Sequence, residues 1–195
     1  MPSCSIFFLK CLAVLCLLAA NAATLHAQEM TLQVDPASST IQFTLGASFH
    51  TVHGSFRVKS GNIRFDPASG TATGTITADA TSADTGNKSR DHKMHAEVLE
   101  SEKYPEISFT LYKVSGSLPL QGDSTVQLEG IFRLHGDDHP VVLTVPLQIS
   151  GNTVTANTRF IVPYVAWGLK NPSTFLLHVS DKVQVEVSIT GHISK

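Results

Sequence analysis

The side chains best equipped for chemistry in this sequence are histidines, and six of the nine fall in pairs: His50 and His53, His92 and His95, His135 and His139. A metal centre needs several such donors converging at fixed distances. On a helix His92 and His95 would share a face at i, i+3, whereas on a regular strand His50 and His53 would point to opposite faces. Neither pair belongs to an HExxH segment, where i, i+4 histidines hold zinc and the intervening Glu serves as base. No third ligand is marked by local spacing, so no metal ligand is assigned, and a metal-dependent hydrolase using the paired histidines is kept as the alternative reading. Asp137-Asp138-His139 has the residue types of an acid–base relay. It follows Gly136, though, in what reads as a hairpin turn, where acidic residues are expected anyway. No Gly-x-Ser-x-Gly elbow presents a nucleophile. No catalytic residue is assigned, and the expectation is a protein that is not an enzyme and needs no cofactor.

The elements around these residues are mostly strands. Leu32 and Val34, then Ile41, Phe43 and Leu45, alternate with polar residues. Val52, Phe56 and Val58 continue the pattern, Ser60-Gly61 reads as a turn, and Ile63 and Phe65 resume it. Asp66-Pro67-Ala68-Ser69-Gly70 is a second turn cluster, ahead of Gly74, Ile76 and Ala78. Period-two runs follow through Ile107, Phe109 and Leu111; Val126 to Leu134; Val141 to Ile149; Val154 to Val162; and Val183 to Ile189. This period marks half-buried strands. One segment differs: in Lys88 to Ser101 the apolar residues Met94, Val98 and Leu99 are spaced as on a helix face. Asn87 or Ser89 would cap its start, and Pro105 would stop any continuation. Tyr164 to Leu177 reads as a loop. About eight strands joined mostly by short connections predict an all-β antiparallel fold with one short helix, since parallel pairing needs long crossovers. Two packed sheets or a closed barrel would both satisfy the pattern.

The N-terminal 27 residues read as an export signal. Lys10 precedes the apolar run Cys11 to Ala20, and small residues follow up to Ala27, ahead of Gln28-Glu29. The run is too short for a transmembrane helix, which needs about 20 residues. The expectation is cleavage after Ala27, leaving one domain over residues 28–195 that is periplasmic or secreted and has no stable membrane insertion. Cys4, Cys11 and Cys16 all lie in the leader, so the mature chain would use neither disulfides nor thiolate ligands. A formal net charge of −2 for the whole chain removes the usual electrostatic warrant for nucleic-acid binding.

Several motifs in order then carry a resemblance. Ser82-Ala83-Asp84-Thr85-Gly86 leads to Arg90-Asp91 and His95, followed by Lys103-Tyr104-Pro105-Glu106-Ile107-Ser108-Phe109. Gly130-Ile131-Phe132-Arg133-Leu134-His135-Gly136 and Val162-Pro163-Tyr164-Val165-Ala166-Trp167-Gly168 come later. Together these resemble the YceI family of bacterial periplasmic proteins, over roughly Leu32 to Ile193. The resemblance implies an extended, eight-stranded, lipocalin-like barrel enclosing an apolar tunnel. It also implies binding of polyisoprenoid lipids or isoprenoid quinones, with some members associated with acid or osmotic stress.

On that reading, the tail would be lined by the apolar side of the strands. Phe43, Phe56, Phe65, Phe109, Phe132 and Phe160 would sit on the apolar side of six different strands. Leu45, Ile63, Ile107, Leu134, Leu143 and Val145 extend the same face, with Trp167 from the loop. Arg90, Asp91 and His95 would contact a head group or orient the helix. The partner expected is an isoprenoid lipid, a homodimer is left open, and the competing reading is a ligand-free structural stress protein whose aromatics fill an ordinary core.

Overall fold

The computed structural model describes residues 29–66 and 69–194; the expected export signal and part of the Asp66–Gly70 turn lie outside the described residues. Nine strands follow in order: β1 (Met30–Val34), β2 (Thr40–Gly46), β3 (Thr51–Asp66), β4 (Thr71–Asp84), β5 (Glu106–Ser115), β6 (Gly122–Leu134), β7 (Asp137–Ser150), β8 (Thr153–Val162) and β9 (Val183–Ser194). A helix, α1 (Lys88–Lys93), stands between β4 and β5.

All pairings are antiparallel, and the β3–β4 pairing closes the sheet into a barrel. Eight positions hold nine strands because β1 and β2 share one. β1 pairs with the far ends of β3 and β9, and β2 pairs with their near ends. Pro36 has no N–H to give to a ladder, and a single 3₁₀ turn, Pro36–Ser38, interrupts the strand there. Asp35 secures the break by accepting from the Ala37 N–H at 2.9 Å and the Ser38 hydroxyl at 2.6 Å. Ser39, buried, donates to Asp35 O and accepts from the Thr190 N–H, tying the break to β9.

Three expectations are corrected. Ser60-Gly61 is no turn: β3 runs unbroken for 16 residues, and its register with β4 shifts between Val58 and Ser60. The bulge moves the inward face from Val58 to Gly61, Ile63 and Phe65, which imitates the change of phase a turn would cause. Gly61 is needed for close approach, since a Cβ there would lie 2.5 Å from Val34 Cγ2. Asp137 and Asp138 belong to β7 and not to a turn. The β6–β7 turn is His135-Gly136, with φ of 54° and 85°, the two positive values a tight hairpin requires. The helical segment ends at Leu99 rather than Ser101, and its second half, Met94–Leu99, is π-wound. Glu100 stops it in the left-handed region at φ 45°.

The buried apolar residues form a shell of small clusters and no single centre. At one end Leu134 and Val162 pack with Tyr164 and Leu169 of the β8–β9 loop, with Val98 and Leu99 of the π-turn against them. At the other, Ile149, Val154 and Ile193 meet Met30, Leu32 and Phe65.

Candidate ligand cavity

Between these clusters the barrel is open, with a cavity of about 670 Å³. That volume falls in the range of roughly 300–1,000 Å³ usual for small-molecule sites. Twelve of the residues assigned to a tunnel line it: Phe43, Leu45, Phe56, Ile63, Phe65, Ile107, Phe109, Phe132, Leu134, Leu143, Val145 and Phe160. The strands turn them inward by alternation, the six Phe from five strands rather than six because Phe56 and Phe65 share the unbroken β3, and aromatic contacts hold some of the rings. Phe43 and Phe56 have centroids 5.3 Å apart, and Phe132 and Phe160 meet edge-on at 5.8 Å.

Trp167 does not line the cavity. It stacks on His139 at 4.0 Å and 3°, and stands behind Phe132 at 5.8 Å, so it supports the wall from the β8–β9 loop. The loop is pinned by Tyr164, whose hydroxyl donates to Ser180 O at 2.7 Å. Burial, with a smaller effect from the Asp181 charge, pushes the Tyr164 hydroxyl up to about 12, which keeps it a neutral donor.

The cavity has a polarity. Around the β3–β4, β5–β6 and β7–β8 connections its wall is apolar: Leu32, Phe65, Ala72, Leu111, Leu118 and Ile149 among others. At the opposite end Thr85, Asn87, Ser89, Arg90 and Lys93 reach it from the β4–α1 segment, with His50 and Thr174 from the other lip. No Asp or Glu is among the lining residues. This mouth is therefore cationic and rich in donors.

Of the three residues assigned to a head group or the helix, only Arg90 borders the cavity. Its Nε donates to Thr85 Oγ1 at 2.7 Å and its Nη2 to Thr85 O at 2.9 Å, leaving Nη1 outside these bonds. Asp91 lies behind: its Oδ1 accepts the Thr85 N–H at 3.0 Å and the Thr85 hydroxyl. Partial burial pulls the Asp91 carboxyl upward, but the Thr85 bonds and the Arg90 charge outweigh it and hold it below the usual carboxylate range. His95 is also behind the wall, its Nδ1 2.9 Å from Ser101 Oγ and its Nε2 2.9 Å from Ala83 O. Asn87 caps α1, accepting from the Ser89 and Arg90 N–H groups at 3.1 Å.

Sequence reasoning missed Lys93 and His50 at the mouth. Lys93 was findable, because it stands at i, i+3 from Arg90 on a helix. His50 was weighed only as half of a metal pair. The six paired histidines are dispersed: His135 meets Glu100 at 2.6 Å, His53 meets Thr44 at 3.1 Å, and His139 lies under Trp167. Among the described residues no three His, Cys, Asp or Glu side chains come together as a metal site.

A closed antiparallel barrel with an apolar interior and one polar mouth defines the class: a lipocalin-like barrel. The model of the YceI-like domain family matches residues 32–191, and the chain belongs to that family. Solved structures share the fold. A polyisoprenoid binding domain from Saccharophagus degradans, implicated in plant cell wall breakdown, superposes with a TM-score of 0.69 at 18% identity, over 84% of this chain and 98% of its own. BcnA of Burkholderia cenocepacia gives 0.66 at 19%, over 80% and 98%. A YceI protein of Campylobacter jejuni gives 0.60 at 19%, over 76% and 88%. No curated protein matches the sequence significantly.

Proposed function

We propose that this protein is a non-enzymatic binder or carrier of an isoprenoid lipid, a polyisoprenoid or an isoprenoid quinone, acting in the periplasm or outside the cell after export. The observation that carries this reading is the 670 Å³ cavity, whose wall is apolar apart from Ser108 and Thr158 and whose charged side chains stand at one mouth. A prenyl tail gains about 0.8 kcal/mol for each CH₂ taken out of water and asks for almost no hydrogen bonds. The aliphatic and Phe wall meets both conditions. Arg90, Lys93 and His50 then face the head group, while Asp91 and His95 hold the segment that carries Arg90. The Saccharophagus degradans domain, described as polyisoprenoid binding, supports the same ligand class.

The test is organic extraction of protein purified from its native compartment, followed by mass spectrometry of the extract. An isoprenoid present at about one molecule per chain is the expected result. Recovery of protein with no lipid, or with a lipid lacking isoprene units, would overturn the proposal.

A further inference from the structure

Around the polar mouth stand the most exposed large apolar side chains of the described residues: Phe175 is 100% exposed, Phe49 80% and Leu176 78%. Exposed rings and leucines of this kind, when contiguous, mark a surface that meets something. Phe49 tips the β2–β3 hairpin, and Phe175-Leu176 tip the β8–β9 loop. The two tips are joined. The Ser48 N–H donates to His178 O at 2.9 Å, the His178 N–H to Ser48 Oγ at 3.1 Å, and Ala47 bridges Val179. Each tip also continues into the cavity wall, because Ala47 and His50 flank Phe49, and Thr174 and Leu177 flank Phe175-Leu176.

Charge points to the same occupant. From Gly46 to His53 and from Ala166 to Ser180 there is no Asp or Glu, in a chain whose formal net charge is −2. The one formal cation of those segments is Lys170, paired with Glu97 at 2.6 Å. Across the mouth stand Arg90 and Lys93. An apolar rim beside the Arg90 and Lys93 cations, with Glu97 held in its ion pair to Lys170, suits a surface of lipid phosphates over hydrocarbon.

We propose that this rim is a membrane-docking surface, with Phe49, Phe175 and Leu176 entering the boundary between head groups and acyl chains. The proposal rests on the reading of the cavity as a lipid-tail site. A long prenyl tail has almost no free concentration in water, so a carrier gains by opening directly onto the bilayer. Docking here sets the mouth against that phase without any segment spanning it.

The test is flotation of the purified protein with isoprenoid-free vesicles of phosphatidylethanolamine and phosphatidylglycerol, comparing wild type with the triple variant F49S/F175S/L176S. Wild type should float with the vesicles, and the variant's partitioning should fall at least about tenfold. Its melting temperature and its affinity for a prenyl alcohol dispersed in detergent should not change. Equal flotation of the two proteins, or wild type left in the soluble fraction, would overturn the proposal. So would a wild-type dimer that the variant makes monomeric with no change in flotation, since the rim would then belong to a second copy. Because the vesicles contain no isoprenoid, flotation reports on the rim alone, and the detergent-phase affinity reports on the cavity alone.

Discussion

At Gly130 an added Cβ would stand 2.4 Å from Phe109 Cε2, and at Gly54 one would stand 2.3 Å from Phe43 Cζ. Both glycines let a phenyl ring lie against the opposite strand's backbone, and that keeps the centre of the barrel free. Gly130→Val removes this accommodation: the ring must swing inward or the strands must part, since Thr110 O is 2.7 Å from the same point. Overpacking of this kind costs about 1–3 kcal/mol. A lowered denaturation midpoint should measure it, with weaker prenyl binding in detergent as the ring enters the cavity. An unchanged midpoint would show that the wall yields more easily than its geometry indicates. The same reasoning explains why Gly130, placed by alternation on the inner face with Phe132, was legible as an inward position, while its role as a seat for Phe109 was not. That role depends on a cross-strand partner, Leu111, two residues from the ring it accommodates.

The β4–α1 segment shows how an element is fastened to the barrel. Thr85 sits between Asp91, which accepts from its amide and hydroxyl, and Arg90, which donates to its side chain and carbonyl. Because Asp91 is held below the usual carboxylate range, folding favours its ionised form. That stability is present above the unfolded carboxylate value of about 3.9 and is lost as pH falls below it, toward the folded value. Asp91→Asn should therefore flatten the acid limb of the stability curve below pH of about 4. It should also loosen Arg90 at the mouth. Urea midpoints taken from pH 7 downward check this; wild type and variant losing stability in parallel on acidification would contradict it. Element boundaries were legible where one rule governed them, as in the helix start, where Asn87 or Ser89 was the expected cap and Asn87 is the one used, and in β8, expected over Val154 to Val162 and observed over Thr153–Val162. They failed where tertiary structure overrode local pattern. The bulge near Ser60 changes the inward phase as a turn would, and only pairing with β4 distinguishes the two. The π-winding of Met94–Leu99 keeps Val98 and Leu99 against the barrel-end cluster around Leu134 and Val162, a requirement absent from the helix's own sequence.

As a whole the molecule divides its apolar residues between a stabilising shell and an open interior. The clusters at the two ends and along the walls hold the barrel, and among the described residues no cysteine adds a covalent link. Composition and alternation established strands with an apolar face, but a filled core and a lined cavity produce the same pattern. The distinction lies in how far apart the walls stand, which closure of the sheet by β3–β4 determines. Trp167 illustrates the limit: its motif is recognisable, yet whether it faces the ligand space or backs Phe132 depends on the path of a loop with no periodicity. The central claim is that the open interior takes a lipid tail. Ala156 lines the cavity from β8, where a larger side chain would project into existing space. The most direct test is the dissociation constant for a detergent-dispersed polyprenyl alcohol, measured for wild type and Ala156→Trp. Saturable binding at one molecule per chain is predicted for wild type, weakened at least about a hundredfold in a variant that keeps its fold. Equal affinity in the two proteins, or no saturable binding by wild type, would contradict it.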